Sequence, residues 1–89
     1  MDSDCSKHKK DVAGITDMKV LAEMVGDLHY EALTDFMICL ARKIDDDADV
    51  DFDAGRRKIS AELYRVAFSI YDAKSAIQKA WEISKPFMK

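Results

Sequence analysis

Four basic side chains are arranged to bind an anion near the start of the final predicted helix. Arg56, Arg57 and Lys58 follow one another directly, and Arg65 lies two helical turns further on. Free backbone amides at a helix start and paired guanidinium hydrogen bonds both suit phosphate or carboxylate. The pattern indicates a candidate site for a nucleotide or another anion. We favour a simpler interpretation, in which the preceding aspartates neutralise these cations locally.

Aromatic residues lie on the same predicted helix. Tyr64, Phe68 and Tyr71 follow each other at steps of four and three, which places them on one face, and Trp81 lies near the helix end. Rings beside cations can stack on a nucleotide base, but such residues are also typical of protein interfaces. Because the net charge of the chain is −3, we favour a protein-binding surface that includes these four residues. The sequence leaves open whether the first three form an interface or part of the core.

Metal ligands occur in the sequence, but in poor arrangements. Six aspartates lie within residues 45–53, yet the registers with carboxylates at positions one, three and five lack the glycine and glutamate of an EF-hand. Cys5 and His8 form only half of a zinc site, whereas His29 and Cys39 lie ten residues apart along a helix and face different directions. We expect no metal site and two free cysteines, with Cys39 buried.

No pattern in the chain is typical of a catalytic site. The serines lie on predicted helix faces without a glycine-rich turn, and there is no phosphate-binding loop. We therefore expect a non-enzymatic protein without a cofactor. The acidic balance disfavours broad binding to duplex nucleic acid. No apolar run is long enough for a membrane span, and residues 1–10 lack that of a signal peptide, so we expect a cytoplasmic protein that does not bind membranes.

Long helices are needed to position these residues. The chain has 89 residues, of which 48% are hydrophobic and 35% are charged, with three glycines and one proline. This composition is typical of one domain built from long amphipathic helices, and it argues against a β-sandwich. We expect residues 1–14 to form a flexible arm and residues 15–89 to form a single helical domain.

The first helix is predicted from its N-cap, Thr16, to about Ile44. Its apolar residues keep one phase through Gly26, so we favour one helix with a kink there; a split into two helices is the alternative. Repulsion between successive aspartates predicts a connecting acidic loop at residues 45–53. Asp53 is then the expected N-cap of the last helix.

Apolar residues form a continuous seam along the last helix, which is expected to end before Pro86. They alternate at steps of four and three, as in coiled coils. The seam consists of Ile59, Leu63, Val66, Ile70, Ala73, Ile77 and Ala80. One partner helix cannot cover both this seam and the aromatic residues. We therefore predict an all-α antiparallel hairpin of two long helices that assembles with further copies into a helical bundle.

These observations favour protein–protein contact as the function, in an adaptor or in an inhibitor that occupies the surface of another macromolecule. The first expected partner is a second copy of the chain. Another protein is the expected second partner, contacted through the aromatic residues and the acidic loop. The alternative is an oligomer that binds a nucleotide or other anion through its basic residues.

Overall fold

The computed structural model describes residues 8–87, and within them the protein is all-helical. Helix α1 spans Met18–Gly26, α2 spans Tyr30–Asp53 and α3 spans Arg57–Ser84, followed by a 3₁₀ turn at Lys85–Phe87. No strand occurs in this part of the chain. The prediction of an all-α fold is therefore confirmed for residues 8–87. α2 packs along α3, as expected for a helical hairpin.

The predicted N-terminal arm is described only in part. Backbone hydrogen bonds of 3.1 and 2.9 Å join Val12 and Ile15 in a tight turn before α1. The Gly14 amide also donates to the Asp11 carboxylate at 3.1 Å. Residues 1–7, which include Cys5, lie outside the described residues.

The first predicted helix is split after Gly26. α1 begins after the N-cap Asp17 rather than Thr16, and the Asp17 carboxylate accepts a hydrogen bond from a first-turn amide at 2.9 Å. α2 has its own N-cap, His29, whose Nδ1 accepts from a first-turn amide at 3.2 Å. The continuous helix that the apolar phase favoured is not formed. Low helix propensity at glycine and a second capping side chain favour the split.

The predicted acidic loop is wrong, because residues 45–53 form the last turns of α2. Packing and pairing offset the repulsion between the aspartates. Ala48 in this segment is fully buried, and three of the aspartates have partners in space. These partners are Lys43 for Asp47 at 2.6 Å, Arg56 for Asp51 at 2.7 Å, and the Tyr64 hydroxyl for Asp49.

A short turn, rather than a loop, joins α2 to α3. Gly55 has φ +85°, a left-handed conformation that favours glycine. The Gly55 amide donates to the Phe52 carbonyl at 3.0 Å, and the Arg56 amide donates to the Asp51 carbonyl at 2.8 Å. These two bonds form a Schellman motif, which ends α2 at Asp53. Arg56, not Asp53, is the N-cap of α3, and its side chain makes no capping hydrogen bond.

Gly55→Ala is expected to lower the free energy of unfolding by about 1 kcal/mol, because a Cβ atom disfavours the left-handed conformation. Gly26→Ala is the matched control, since Gly26 is helical, and it is expected to be neutral or stabilising by up to about 1 kcal/mol. An added Cβ atom would meet no atom within 4 Å at either position. Urea denaturation measures both effects. Equal stability of the two variants would contradict the assigned turn.

Small side chains, not the predicted seam, lie at the centre of the contact between α2 and α3. The buried residues are Thr34, Ala41 and Ala48 on α2 and Ser60 and Ala67 on α3. They are spaced by seven residues within each helix, and small side chains at repeating positions let two helices approach closely. The hydroxyls of Thr34 and Ser60 donate to carbonyls of their own helices, so both polar groups are satisfied.

The predicted seam is rotated towards one side of the hairpin. Leu63 and Ile70 are half-buried, whereas Val66 is 44% exposed and Ala73 is exposed. Successive residues point about 100° apart on a helix, so Val66 and the buried Ala67 lie on neighbouring faces. The contact with α2 therefore leaves much of the seam uncovered.

The hairpin is about one helix thick. The molecule extends over 51 × 28 × 14 Å, and an α-helix with its side chains is about 10–12 Å wide. Many large apolar side chains therefore contact solvent, and assembly into a bundle stays a prediction. The most exposed of these side chains are Val50, Phe68, Ile83 and Phe87.

Candidate functional site

The residues Tyr64, Phe68 and Tyr71 form one candidate surface, here named the aromatic face. Phe68 is 73% exposed. Tyr64 and Tyr71 precede and follow it on α3 and are half-buried. The Tyr64 hydroxyl donates a hydrogen bond to the Asp49 carboxylate of α2. Phe68 therefore projects into solvent beside Tyr64, whose hydroxyl is hydrogen-bonded to the other long helix of the hairpin.

The surroundings of Tyr64 are negatively charged. The hydrogen bond to Asp49 raises the pKa of the Tyr64 hydroxyl to about 12, and partial burial and the charges of Asp49, Asp45 and Asp53 act in the same direction. The acidic end of α2 therefore borders the aromatic face. Positive charge on a partner would complement this border.

Trp81 does not belong to the aromatic face. Its ring packs edge-on against His29, with the ring centroids 6.0 Å apart, and at a tilt of 31° against Tyr30, with the centroids 6.1 Å apart. The Lys85 ammonium lies 4.2 Å from the centre of a Trp81 ring. Trp81 therefore joins the end of α3 to the start of α2 and serves a structural contact.

Two of the predicted anion-binding residues have carboxylate partners. The Nε of Arg56 donates to Asp51 at 2.7 Å across the turn. Arg65 donates to both carboxylate oxygens of Glu62 at 3.0 and 3.3 Å, one turn away on α3. These carboxylates partly neutralise the two guanidinium groups and compete with a phosphate group for them, although each guanidinium keeps further N–H donors.

The other two basic residues lie at the hairpin turn. The guanidinium of Arg57 stacks on the ring of Phe52, with its central carbon 4.0 Å from the ring centre. Lys58 is exposed and lines a shallow pocket together with Ile59. The cations at the start of α3 and the aspartates at the end of α2 are each disfavoured by the dipole of their own helix. Because they lie next to each other at the turn, their opposite charges compensate for this. This arrangement fits local neutralisation, the interpretation that the sequence favoured.

Sequence reasoning missed a second candidate surface, because it treated the residues of this surface as a coiled-coil seam that contacts another helix. Two adjoining pockets on α3 share Glu62 and Val66 and form one groove from Lys58 to Ala73. We name it the seam groove. Its apolar lining consists of Ile59, Leu63, Val66, Ile70 and Ala73.

α2 adds both charged and apolar residues beside the seam groove. Its row of Lys43, Asp47 and Val50 lines a cavity with Leu63 of α3, together with His8, Asp51 and Arg56, so this row lies on the same side of the hairpin. Helical steps of three and four continue the row to Leu40 and Phe36. These two side chains are 39% and 42% exposed. One side of the hairpin thus combines apolar residues from both long helices.

Metal binding finds no support in the described residues. Between residues 8 and 87, no group of three histidine, cysteine, aspartate or glutamate side chains is arranged to hold a metal ion. Cys39, which we expected to be buried, is exposed, because a rotation of about 200° separates it from the buried Ala41. Over the same range, no helix has the length and apolar character needed to cross a membrane.

No protein-family model, curated protein or solved structure gives a significant match to the chain. Function is therefore inferred from the surfaces of the hairpin itself. Two of them are candidates for binding: the aromatic face with its acidic border, and the seam groove with its apolar extension on α2.

Proposed function

We propose that this protein is non-enzymatic and acts by protein–protein contact, with further copies of itself and with another protein, as an adaptor or as an inhibitor. The observation that supports this function is the exposure of large apolar side chains on a hairpin about one helix thick. Contiguous exposed apolar surface on a small protein is typical of a contact region. Both broad sides of the hairpin carry such side chains.

The aromatic face is the proposed contact with another protein. The hydrogen bond between Tyr64 and Asp49 holds the surface from which Phe68 projects, and such preorganisation reduces the entropy lost on binding. Asp45 and Asp53 add negative charge beside Tyr64. The partner is expected to offer an apolar pocket for Phe68 with basic residues around it.

Binding of a nucleotide or other anion is the alternative function. The carboxylate partners of Arg56 and Arg65 weigh against it. Arg57 and Lys58 are the basic side chains left for such a ligand, and Arg57 already stacks on Phe52. Protein–protein contact is therefore the better-supported function.

Phe68→Ala is expected to lower the affinity for the protein partner at least about tenfold while the fold stays intact. Exposed aromatic residues that fill a partner's pocket contribute strongly to binding. Because Phe68 projects into solvent, its removal is expected to change the free energy of unfolding by less than about 0.5 kcal/mol. The amount of partner bound by the immobilised wild type and by the immobilised variant measures the change in affinity. Urea denaturation followed by circular dichroism measures the change in the free energy of unfolding.

Ile83→Ala is the matched control for Phe68→Ala. Ile83 is similarly exposed, but it lies near the end of α3, beyond the aromatic face. This variant is expected to retain the partner. Equal binding by the two variants would contradict the assignment of the aromatic face. A wild-type protein that captures no partner and has the mass of one chain by light scattering would contradict protein–protein contact as the function.

A further inference from the structure

His29 lies at the joint between α1, α2 and the end of α3. It closes the connection that follows α1, at residues 27–29, and it is the N-cap of α2. Its ring also packs edge-on against Trp81 of α3, with the ring centroids 6.0 Å apart. One imidazole therefore takes part both in the start of α2 and in the contact that joins α2 to the end of α3.

The cap of α2 requires a neutral imidazole. Nδ1 of His29 accepts a hydrogen bond from the Glu31 amide at 3.2 Å. A ring nitrogen accepts a hydrogen bond only while it carries no proton, and both ring nitrogens are donors in the protonated ring. Protonation of His29 therefore replaces this hydrogen bond with two N–H groups that point at each other.

Positive charge is also unfavourable at this position. The start of a helix carries partial positive charge, so a cation there destabilises the helix. A second cation, the Lys85 ammonium, lies 4.2 Å from the centre of a Trp81 ring, and Glu82 pairs with it at 3.3 Å. A protonated His29 would thus adjoin an indole that already has a cation beside it.

Two carboxylates close to His29 in the sequence act in the opposite direction. Asp27 is the C-cap of α1, and Glu31 lies in the first turn of α2. Negative charge near an imidazole favours its protonated form. Both residues are exposed, so solvent and salt screen their charges. The direct loss of the capping hydrogen bond therefore outweighs their attraction.

We propose that His29 is a pH-sensitive switch, which caps α2 while its ring is neutral and releases the cap when the ring takes up a proton. Histidine is the side chain whose charge ordinarily changes between about pH 5 and 8. The first turn of α2 also carries Tyr30, whose ring centroid lies 6.1 Å from that of Trp81. Release of the cap therefore loosens both aromatic contacts that join α2 to the end of α3.

Trp81 fluorescence is expected to change as the pH falls from about 8 to about 5. Trp81 is the one tryptophan of the chain, so its emission reports this joint directly. The melting temperature is expected to be about 4–8 °C lower at the acidic end, because an N-cap is lost. Both measurements use the full chain, and circular dichroism follows the melting.

The chain has two histidines, His8 and His29, which provide matched variants. His29→Asn keeps a good capping side chain that does not titrate. It is expected to melt at the same temperature at pH 5 and pH 8 and to show no fluorescence transition between them. His8→Asn changes the histidine that lines the cavity near the hairpin turn, and it is expected to keep both pH-dependent changes.

A third variant separates the cap from the titration. His29→Ala removes the capping nitrogen at every pH, so its melting temperature is expected to be about 4–8 °C below that of the wild type at pH 8 and independent of pH. Changes with pH in the wild type and in His8→Asn, but not in the two His29 variants, support the switch. A wild type that does not respond to pH, a response that persists in His29→Asn, or one that His8→Asn abolishes overturns it.

Discussion

Ala67→Leu is expected to lower the free energy of unfolding by about 1–3 kcal/mol, because the larger side chain forces α2 and α3 apart. Ala67 is only 2% exposed and belongs to the row of small residues at the centre of the helix contact. Ala41 and Ala48 on α2 have no exposed surface and are equally small, so the added volume has no space to enter. Urea denaturation at one fixed protein concentration measures the change.

Ala61→Leu is the control for Ala67→Leu. Ala61 is exposed on the same helix, and alanine and leucine have similar helix propensities, so this change is expected to stay within about 0.5 kcal/mol. If Ala67→Leu were as stable as Ala61→Leu, the helices would not be packed through the row of small residues. Equal stability of the two variants would be expected if the predicted seam, rather than the row of small residues, formed the contact between α2 and α3.

The periodicity of the sequence located α3, but the contact with α2 is centred beside the predicted seam, on the row of Ser60 and Ala67. Steps of three and four between large residues such as Leu63 and Val66 show which faces of a helix are apolar. They do not show which of these faces packs against the neighbouring helix. α3 has apolar residues on more than one face, and packing selects the face on which backbones approach most closely. The seven-residue steps from Thr34 to Ala41 and from Ser60 to Ala67 contained that information.

Local propensity failed at the acidic segment for a different reason. Aspartates in series disfavour a helix when each is considered with its sequence neighbours alone. Ala48 is buried against α3 within that segment, and Tyr64, the partner of Asp49, lies beyond the hairpin turn. Such contacts form only once the chain has folded back. Gly55, a typical residue after a helix end, was the local signal for the end of α2.

The sequence identified the aromatic residues that are candidates for binding, but it did not show which of them lie together on one surface. Tyr64, Phe68 and Tyr71 are neighbours on α3 because their spacing and helical geometry alone determine this. Trp81 lies on the same helix but packs against His29 and Tyr30 of the opposite hairpin arm. Only the fold-back of the chain decides whether an aromatic residue becomes an exposed contact residue or a structural one.

Tyr64→Phe is expected to remove a late step from the alkaline titration of the tyrosines. The hydrogen bond to Asp49 raises the pKa of Tyr64 to about 12, from 10.0 in the unfolded chain. The folded state therefore holds this proton more tightly than the unfolded state, so its contribution to stability is complete below pH 10. That contribution is lost as the pH rises from about 10 to about 12. Tyrosinate absorbance, followed together with circular dichroism, measures the titration.

Two further variants assign the late step to the pair of Tyr64 and Asp49. Tyr71→Phe removes another of the three tyrosines and is expected to retain the late step. Asp49→Asn removes the charged acceptor and is expected to move the step back towards pH 10, since a neutral amide disfavours the tyrosinate less than a carboxylate does. A late step that persists in Tyr64→Phe would contradict the assignment. Because this hydrogen bond joins α2 to α3 beside Phe68, its loss is also expected to loosen the surface from which Phe68 projects.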